Sequence, residues 1–412
     1  MDSVIGIPLN VFIFISLYFE VFLMITYLER RKSISHEETR ISTSVLPTVS
    51  IIVPCFNEEK TISGTIESLL RLDYPKKLLK ILVVDDGSTD KTFEALQKYE
   101  SEPNIEILRK DNGGKYTALN LGLEKVTSEL VGCLDADSYV QSDALKKIVA
   151  YFEDSGTMAV TPSIRVHNPK NILERIQNIE YSYGNFVRKM MSHMNAIYVT
   201  PGPFSIFRKE VFEKLGNYKT AHKTEDIEIA LRMQSNKYKI MNCHKAFVDT
   251  ITPKTLKTLY RQRLRWTHGF IKNAMDYRSL FFNKEHGNLG LLALPLAPVY
   301  ILSALYLMFA LLYSMGERLV DYIIKLSVIG FEPKWPILSF NWYFVNTDTM
   351  TFLFIVSIVL LSAIIILGHR FTEKKINVLD FFYTFTLYGL ISPSWLLVSI
   401  GKVIFGKNVE WK

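Results

Sequence analysis

Two aspartates separated by one alanine, Asp135-Ala136-Asp137, close a short apolar run that ends in Cys133-Leu134. Carboxylate oxygens suit hard divalent cations, and Mg²⁺ is usually held by one or two carboxylates together with substrate phosphates. Such a pair is common by chance; its place at the end of an expected strand is what points to a site. A second pair, Asp85-Asp86, follows Ile81-Leu82-Val83-Val84 and runs into Gly87-Ser88. These carboxylates either accept hydrogen bonds from a nucleoside base and ribose or serve the turn and the start of the next helix. Asn112-Gly113-Gly114-Lys115 opens an expected helix with Ala118, Leu119 and Asn120. Free backbone N–H groups and a lysine charge there suit a phosphate, although a surface lysine after a glycine turn has the same pattern.

Two further clusters lie downstream. Thr224-Glu225-Asp226 precedes Ile227, Ile229, Ala230 and Leu231. Acidic residues are favoured at a helix start by the macrodipole; alternatively Asp226 is a general base for an acceptor hydroxyl, a role that contributes ~10²–10⁴ in rate. Gln262-Arg263-Leu264-Arg265-Trp266 sits in a basic stretch with Lys254, Lys257, Arg261, Lys272 and Arg278. An interfacial helix against lipid headgroups accounts for those charges but not for Gln262 or Trp266. Arginine grips a diphosphate with two parallel hydrogen bonds, and an indole can stack on a sugar ring.

The elements that must position these residues alternate. Val49-Ser50-Ile51-Ile52-Val53 reads as a buried strand, residues 59–72 as a helix, 81–84 as a strand, 90–99 as a helix, 105–109 as extended, 115–125 as a helix and 129–134 as a strand. Repeated strand–helix units give an α/β fold with a mostly parallel sheet covered on both faces, and ligands of such sheets bind beyond the carboxyl ends of the strands. No G-x-G-x-x-G follows a strand and no G-K-[ST] loop occurs, which disfavours a dehydrogenase or a P-loop enzyme. Residues 169–194 repeat apolar side chains every three or four positions (Ile172, Ile176, Ile179, Tyr183, Phe186, Met190, Met194) and read as packing or membrane-interface surface. Cys55, Cys133 and Cys243 are expected to be small buried thiols, and His193, His222, His244 and His268 lack metal-ligand spacing.

The 412 residues divide unevenly in hydropathy. Residues 5–28 are apolar except for Asn10 and Glu20, long enough to span a bilayer, which takes about 20 residues. Glu29-Arg30-Arg31-Lys32 follows at once, and basic flanks stay in the cytoplasm. Further spans are expected at 289–314, 350–368 and 379–403, about four in total, the last interrupted by Pro393. The stretch with Glu317, Arg318, Asp321 and Pro333 is expected outside or along the outer interface; His369, Arg370, Glu373, Lys374 and Lys375 return to the cytoplasm, and the side of Lys402, Lys407 and Lys412 stays open. The domain division is therefore 1–32, a transmembrane helix with its basic flank; 33–250, a cytoplasmic catalytic domain; 251–288, amphipathic interface helices; and 289–412, a membrane region. A net charge of +7, concentrated beside the apolar segments and near residue 260, favours lipid headgroups and a phosphate-bearing substrate over nucleic acid.

Taken in order, Val53-Pro54-Cys55-Phe56-Asn57-Glu58, Asp85 to Ser88, Gly114-Lys115 with Ala118 to Asn120, Asp135-Ala136-Asp137, Gly202 to Arg208, Thr224 to Asp226 and Gln262 to Trp266 resemble the family 2 glycosyltransferases with a GT-A fold. The resemblance covers about residues 49–285 and is to the processive members, which make cellulose, chitin, hyaluronan and poly-N-acetylglucosamine. It implies a plasma-membrane, multi-pass, inverting enzyme that adds a sugar from a UDP-sugar donor to a growing β-linked polysaccharide and helps export it. The resemblance also implies roles. Asp85 would meet the uracil, with Asn57, Glu58 and Asp86 nearby. Asp135 would meet donor phosphate or ribose, and Asp137 would hold Mg²⁺ or Mn²⁺. Lys115 and Arg265 would hold the diphosphate, with Gln262 also on the donor side. Asp226 would be the base and Trp266 the acceptor platform. One leading span and few trailing ones, with no room for a regulatory domain like that of bacterial cellulose synthases, are most similar to the poly-N-acetylglucosamine type and leave a place for a small accessory membrane subunit. Two alternatives remain: transfer of a single sugar to a lipid or lipid-phosphate, and a non-catalytic nucleotide-binding subunit of a glycan exporter.

Overall fold

The computed structural model describes residues 2–38, 45–330, 349–373 and 377–407. Pro333, Lys374, Lys375 and Lys412, assigned to sides of the membrane above, lie outside the described residues. Helix α1 (Asp2–Glu38) leads into β1 (Val49–Cys55), whose seven residues are all buried, as a β-branched apolar run requires between two layers of helices. There follow α2 (Ile62–Leu70), β2 (Leu79–Asp85), α3 (Thr92–Gln97), β3 (Ile105–Arg109), α4 (Lys115–Glu124) and β4 (Leu130–Cys133). The second half comprises β5 (Ser138–Val140), α5 (Ala144–Val149), β6 (Thr157–Val166), α6 (Ile172–His193), β7 (Ile206–Arg208), α7 (Glu210–Leu215), α8 (Glu225–Ser235) and β8 (Lys239–Thr250). Helix α9 (Leu256–Asp276) then leads to the apolar helices α10 (Leu294–Ile329), α11 (Thr349–Thr372), α12 (Val378–Tyr383) and α13 (Gly389–Ile404), the last two joined by a π-helical turn, Thr384–Tyr388.

One eight-stranded sheet runs in the order β3-β2-β1-β4-β7-β6-β8-β5. Strands β3, β2, β1 and β4 are parallel, so their carboxyl ends share one edge, where Asp85-Asp86 and the Asp135-Ala136-Asp137 segment emerge. The mostly parallel α/β sheet is borne out. Its second half is mixed, because β7 lies antiparallel to both β4 and β6, and β5 antiparallel to β8. Ile62, Ile66 and Leu69 of α2 pack on one face of the sheet; Ala118 and Leu119 of α4, with Phe186 and Met190 of α6, pack on the other. Cys55, Cys133 and Cys243 are buried free thiols, as expected.

Among the described residues, four helices are long and apolar enough to cross a membrane: Pro8–Glu37, Leu289–Val328, Thr351–Thr372 and Val378–Ile404. The second exceeds expectation. Instead of ending near residue 314 it continues through Glu317, Arg318 and Asp321 to Ile329, because nothing in that stretch breaks a helix before Gly330 in its left-handed conformation (φ 77°). The helices pack on α6 and α9 through small residues and buried polar pairs. A side chain at Gly368 of α11 would sit 2.1 Å from the carbonyl of Ser182. Glu20 of α1 accepts hydrogen bonds from Ser357 of α11 at 2.9 Å and 3.1 Å. At the boundary, Arg165, forked onto Asp249 of the neighbouring strand (2.7 Å), donates to the Thr372 carbonyl at 3.4 Å, Arg175 meets Asp380 (2.5 Å), and Lys189 of α6 pairs with Glu37.

Candidate active site

The carboxyl edge of β1, β2 and β4 opens into a cavity of about 890 Å³, closed on its other side by residues 220–225 and by α9. Of the residues singled out from the sequence, Glu58, Asp86, Lys115, Asp135, Asp137 and Arg265 line it. Asp85 does not: it is fully buried, accepts a hydrogen bond from the Ser88 N–H (3.1 Å) and faces Arg109 Nε at 3.2 Å. Asp86 beside it does the organising, accepting from the N–H groups of Gly113 (3.1 Å) and Gly114 (2.8 Å) and from Lys110 Nζ (2.7 Å). Asn57, in a left-handed conformation (φ 56°), accepts from the Thr89 N–H at 2.9 Å and so ties the loop after β1 to the loop after β2.

Lys115 is the hub of the deeper part. Its ammonium donates to Asp135 Oδ1 (2.6 Å) and lies 3.3 Å from Glu225. Burial alone would ease its proton off, but the two carboxylates outweigh that and hold it charged well above the usual lysine range. A methyl group added at Gly202 would sit 2.8 Å from both Asp135 oxygens and from Lys115 Nζ, so only glycine permits this pairing. Asp137 is pushed up to about 7, first by burial and then by the charges of Asp135 and Glu58. Asp135, Asp137 and Glu58 thus bring three carboxylates to bear on one another in the cavity, with Lys115 paired to Asp135. Asp226, at the start of α8, is pushed up to about 6 by burial and by Glu225, against the pull of Lys115 and Arg265.

Helix α9 opens with a reciprocal cap, Thr255 with Thr258, and presses on the segment before α8. A Cβ at Gly269 would fall 2.3 Å from Thr224 Oγ1, and Asn273 Nδ2 donates to Thr224 Oγ1 (2.9 Å) and to the Ala221 carbonyl (3.1 Å). These contacts hold Ala221, His222 and Lys223 at φ 45°, 52° and 67°, a run of left-handed residues that each cost on the order of 1–2 kcal/mol. Arg265 donates to the Lys223 carbonyl at 3.2 Å and reaches the cavity; Gln262 and Trp266 are half-buried on the same helix and do not line it. Sequence reasoning missed Gly202, Glu225 as the second partner of Lys115, and the cavity-lining His222 and His268. Gly202 and Glu225 lie within the motifs quoted above, without these roles, and His222 and His268 are named there only as lacking metal-ligand spacing; the contacts that give all four their places act across long separations and leave no local pattern.

The pieces can hold a phosphorylated, nucleotide-like ligand: the cations Lys115 and Arg265 and a carboxylate cluster at Asp135 and Asp137 line the cavity, and Asp226, which does not line it, is a carboxylate near neutral pH within reach of the Lys115 and Arg265 charges. Comparison with known proteins agrees. Residues 50–216 match the family model "Glycosyl transferase family 2". The poly-β-1,6-N-acetyl-D-glucosamine synthase of Staphylococcus epidermidis is 28% identical over 365 residues, covering 87% of this chain and 84% of that protein. The synthase of the same description from Staphylococcus aureus (strain COL) is 32% identical over 261 residues, 62% of this chain and 63% of its own. Among solved structures, a mannosyltransferase of Pyrobaculum calidifontis in complex with GDP-mannose and Mn²⁺ superposes with a TM-score of 0.56 at 18% identity, covering 96% of this chain and 100% of that one, a likeness of fold.

Proposed function

Because the chain is a family 2 glycosyltransferase with a GT-A fold, we propose that it polymerises N-acetylglucosamine from a UDP-sugar into a β-linked polysaccharide while seated in a membrane. One observation carries the reading. Arg265, from the Gln262-to-Trp266 motif on the helix that packs against α13, lines the same cavity as Lys115, Asp135 and Asp137 from the sheet edge. The residues read as the donor site therefore adjoin the helix that packs on the apolar C-terminal region. The similarity to the staphylococcal synthases supports the sugar and the polymer.

In this reading Asp86 and the loops beside it receive the nucleoside end of the donor, and Lys115 and Arg265 hold the diphosphate. The acceptor hydroxyl oxygen attacks C1 of the donor sugar in line with the bond to the diphosphate. Its proton passes to Asp226, the C1–O bond to UDP breaks, and the anomeric configuration inverts. Leaving-group charge is met by cations already fixed in place, which is where most of the rate enhancement of such sites arises. A divalent cation, Mg²⁺ or Mn²⁺, fits the carboxylate end. Asp137 is crowded by Asp135 and Glu58, a repulsion that a bound cation relieves. Among the described residues no group of three or more His, Cys, Asp or Glu side chains could hold a metal ion by itself, so Asp137 and Asp135 would share the ion with the donor phosphates. That ion supplies charge neutralisation of the departing diphosphate. The basic residues Arg30, Arg31 and Lys32, toward the end of α1, support a cytoplasmic catalytic domain, from which the product would leave outward through a protein-lined path, since a polar glycan has no other way across lipid.

The test is UDP release by the full chain in detergent with Mg²⁺ or Mn²⁺ across a panel of UDP-sugars, with product sizing and Asp226→Asn as control. Release with UDP-N-acetylglucosamine, abolished in the control and accompanied by polymer, is the expected result. Single-sugar products would replace this reading with non-processive transfer, and donor binding without turnover would replace it with a binding subunit.

A further inference from the structure

Arg263, the arginine of the Gln262-to-Trp266 stretch that does not reach the cavity, is 4% exposed and has its own assembly. Its Nη2 donates to Glu180 of α6 at 2.7 Å, and its Nε donates to the Tyr388 hydroxyl at 3.1 Å. That hydroxyl in turn donates to the same Glu180 oxygen at 2.8 Å. The three groups close a ring of hydrogen bonds among an interface helix, α9 and the apolar C-terminal region. Three residues further along α9, the Trp266 ring lies against the guanidinium, 4.3 Å from ring centroid to Arg263 Cζ.

Burying the Arg263 charge beside an apolar layer is expensive, with Glu180 itself 32% exposed, and apolar side chains of similar volume often replace such pairs at no loss of stability. What an aliphatic side chain cannot do is present a planar cation, fixed at its edges by two partners, to one face of an indole. Such a contact contributes about 0.5–2 kcal/mol and orients the ring. Trp266 is half-buried, so the guanidinium takes one face and leaves the ring accessible elsewhere. Tyr388 is the last residue of the π-helical turn Thr384–Tyr388, a local departure from the α-helical ladder of a kind that recurs at functional positions. Its ring also packs on Trp395 of α13 (centroids 5.6 Å apart), which packs with Leu264 of α9.

We propose that Arg263 is a positioning residue for the acceptor: clamped by Glu180 and Tyr388, it sets the plane of the Trp266 indole, so the last apolar segment fixes the angle at which the growing chain meets the donor. This rests on Trp266 being the acceptor platform. The experiment compares the full-length wild type with Trp266→Ala, the double variant Arg263→Met/Glu180→Gln, and Tyr388→Phe. It measures KM for UDP-N-acetylglucosamine, KM for a short β-linked N-acetylglucosamine oligosaccharide, UDP affinity and product length. The double variant removes both charges together and leaves neither buried alone. Expected is a rise of about tenfold in acceptor KM for the double variant and about threefold for Tyr388→Phe, with shorter products and unchanged donor KM and UDP affinity. Wild-type acceptor KM and product length in the double variant, with Trp266→Ala impaired, would overturn the positioning role alone. No change in Trp266→Ala would overturn the acceptor reading and the proposal with it. If the double variant does not fold, Tyr388→Phe decides: it removes one hydroxyl, and an unaltered acceptor KM there overturns the proposal.

Discussion

Asp226 and Lys115 show how much of the chemistry rests on single charges. Asp226 is an effective base only when ionised, and burial with Glu225 beside it lifts it to about 6. A raised carboxylate works above its pKa, so kcat/KM should fall about tenfold per pH unit once the pH drops below about 6, read from a pH–rate profile of the free enzyme. Asp226→Asn should lower kcat by ~10²–10⁴ while leaving UDP affinity within a factor of a few, measured by UDP release and by equilibrium binding. Lys115 gives a different signature because its partners are fixed by a glycine. Gly202→Ala puts a methyl 2.8 Å from the Asp135 oxygens and from Lys115 Nζ, and those side chains must move. Donor affinity should drop by ~10–100-fold with the thermal midpoint little changed, since the displaced groups are functional and not core.

Helix α9 is the element on which two halves of the site depend. It carries Arg265 into the cavity and holds the segment before α8 in its left-handed turn. Gly269→Ala would drive a methyl to 2.3 Å from Thr224 Oγ1. Overpacking of that kind costs about 1–3 kcal/mol, released here by pushing α9 away from Asp226. Loss of kcat together with weaker UDP binding, because Arg265 moves with α9, is the expected outcome, both compared in the same preparation. The elements that sequence reasoning identified were those whose pattern is local. The run of β1, the apolar periodicity of α2 and α6, and polar clusters following β2 and β4 are all written in consecutive residues. Strands β6, β7 and β8 escaped because their registers are set by one another and by β4 across long separations. The left-handed residues Ala221, His222 and Lys223 escaped for a related reason: none is a glycine, and contacts from α9, some fifty positions away, impose their conformation.

At the scale of the molecule, the catalytic domain and the apolar helices share an interface built from Lys189–Glu37, Arg175–Asp380 and the Arg165 hydrogen bond to the Thr372 carbonyl. None of these pairings is legible in sequence, although both partner regions were. The second apolar helix, Leu289–Val328, has 40 residues. At 1.5 Å per residue it measures about 60 Å, twice the ~30 Å of a bilayer's hydrocarbon. No plausible tilt absorbs that excess, because observed tilts average about 20°. With this helix across a bilayer, the surplus would lie outside the hydrocarbon at its two ends: the Leu289 end, which packs in the catalytic domain's core, and the end carrying Glu317, Arg318, Asp321 and Ser327, which would form a post on the other side. Ser327→Cys in a chain whose own three cysteines are buried gives a marker for that post. A membrane-impermeant maleimide should label it from the side opposite the catalytic domain. The height of such a post would bear on what a polymer meets on leaving the bilayer: the stretch from Met315 to Val328 alone measures about 20 Å, long enough to run alongside several sugar units.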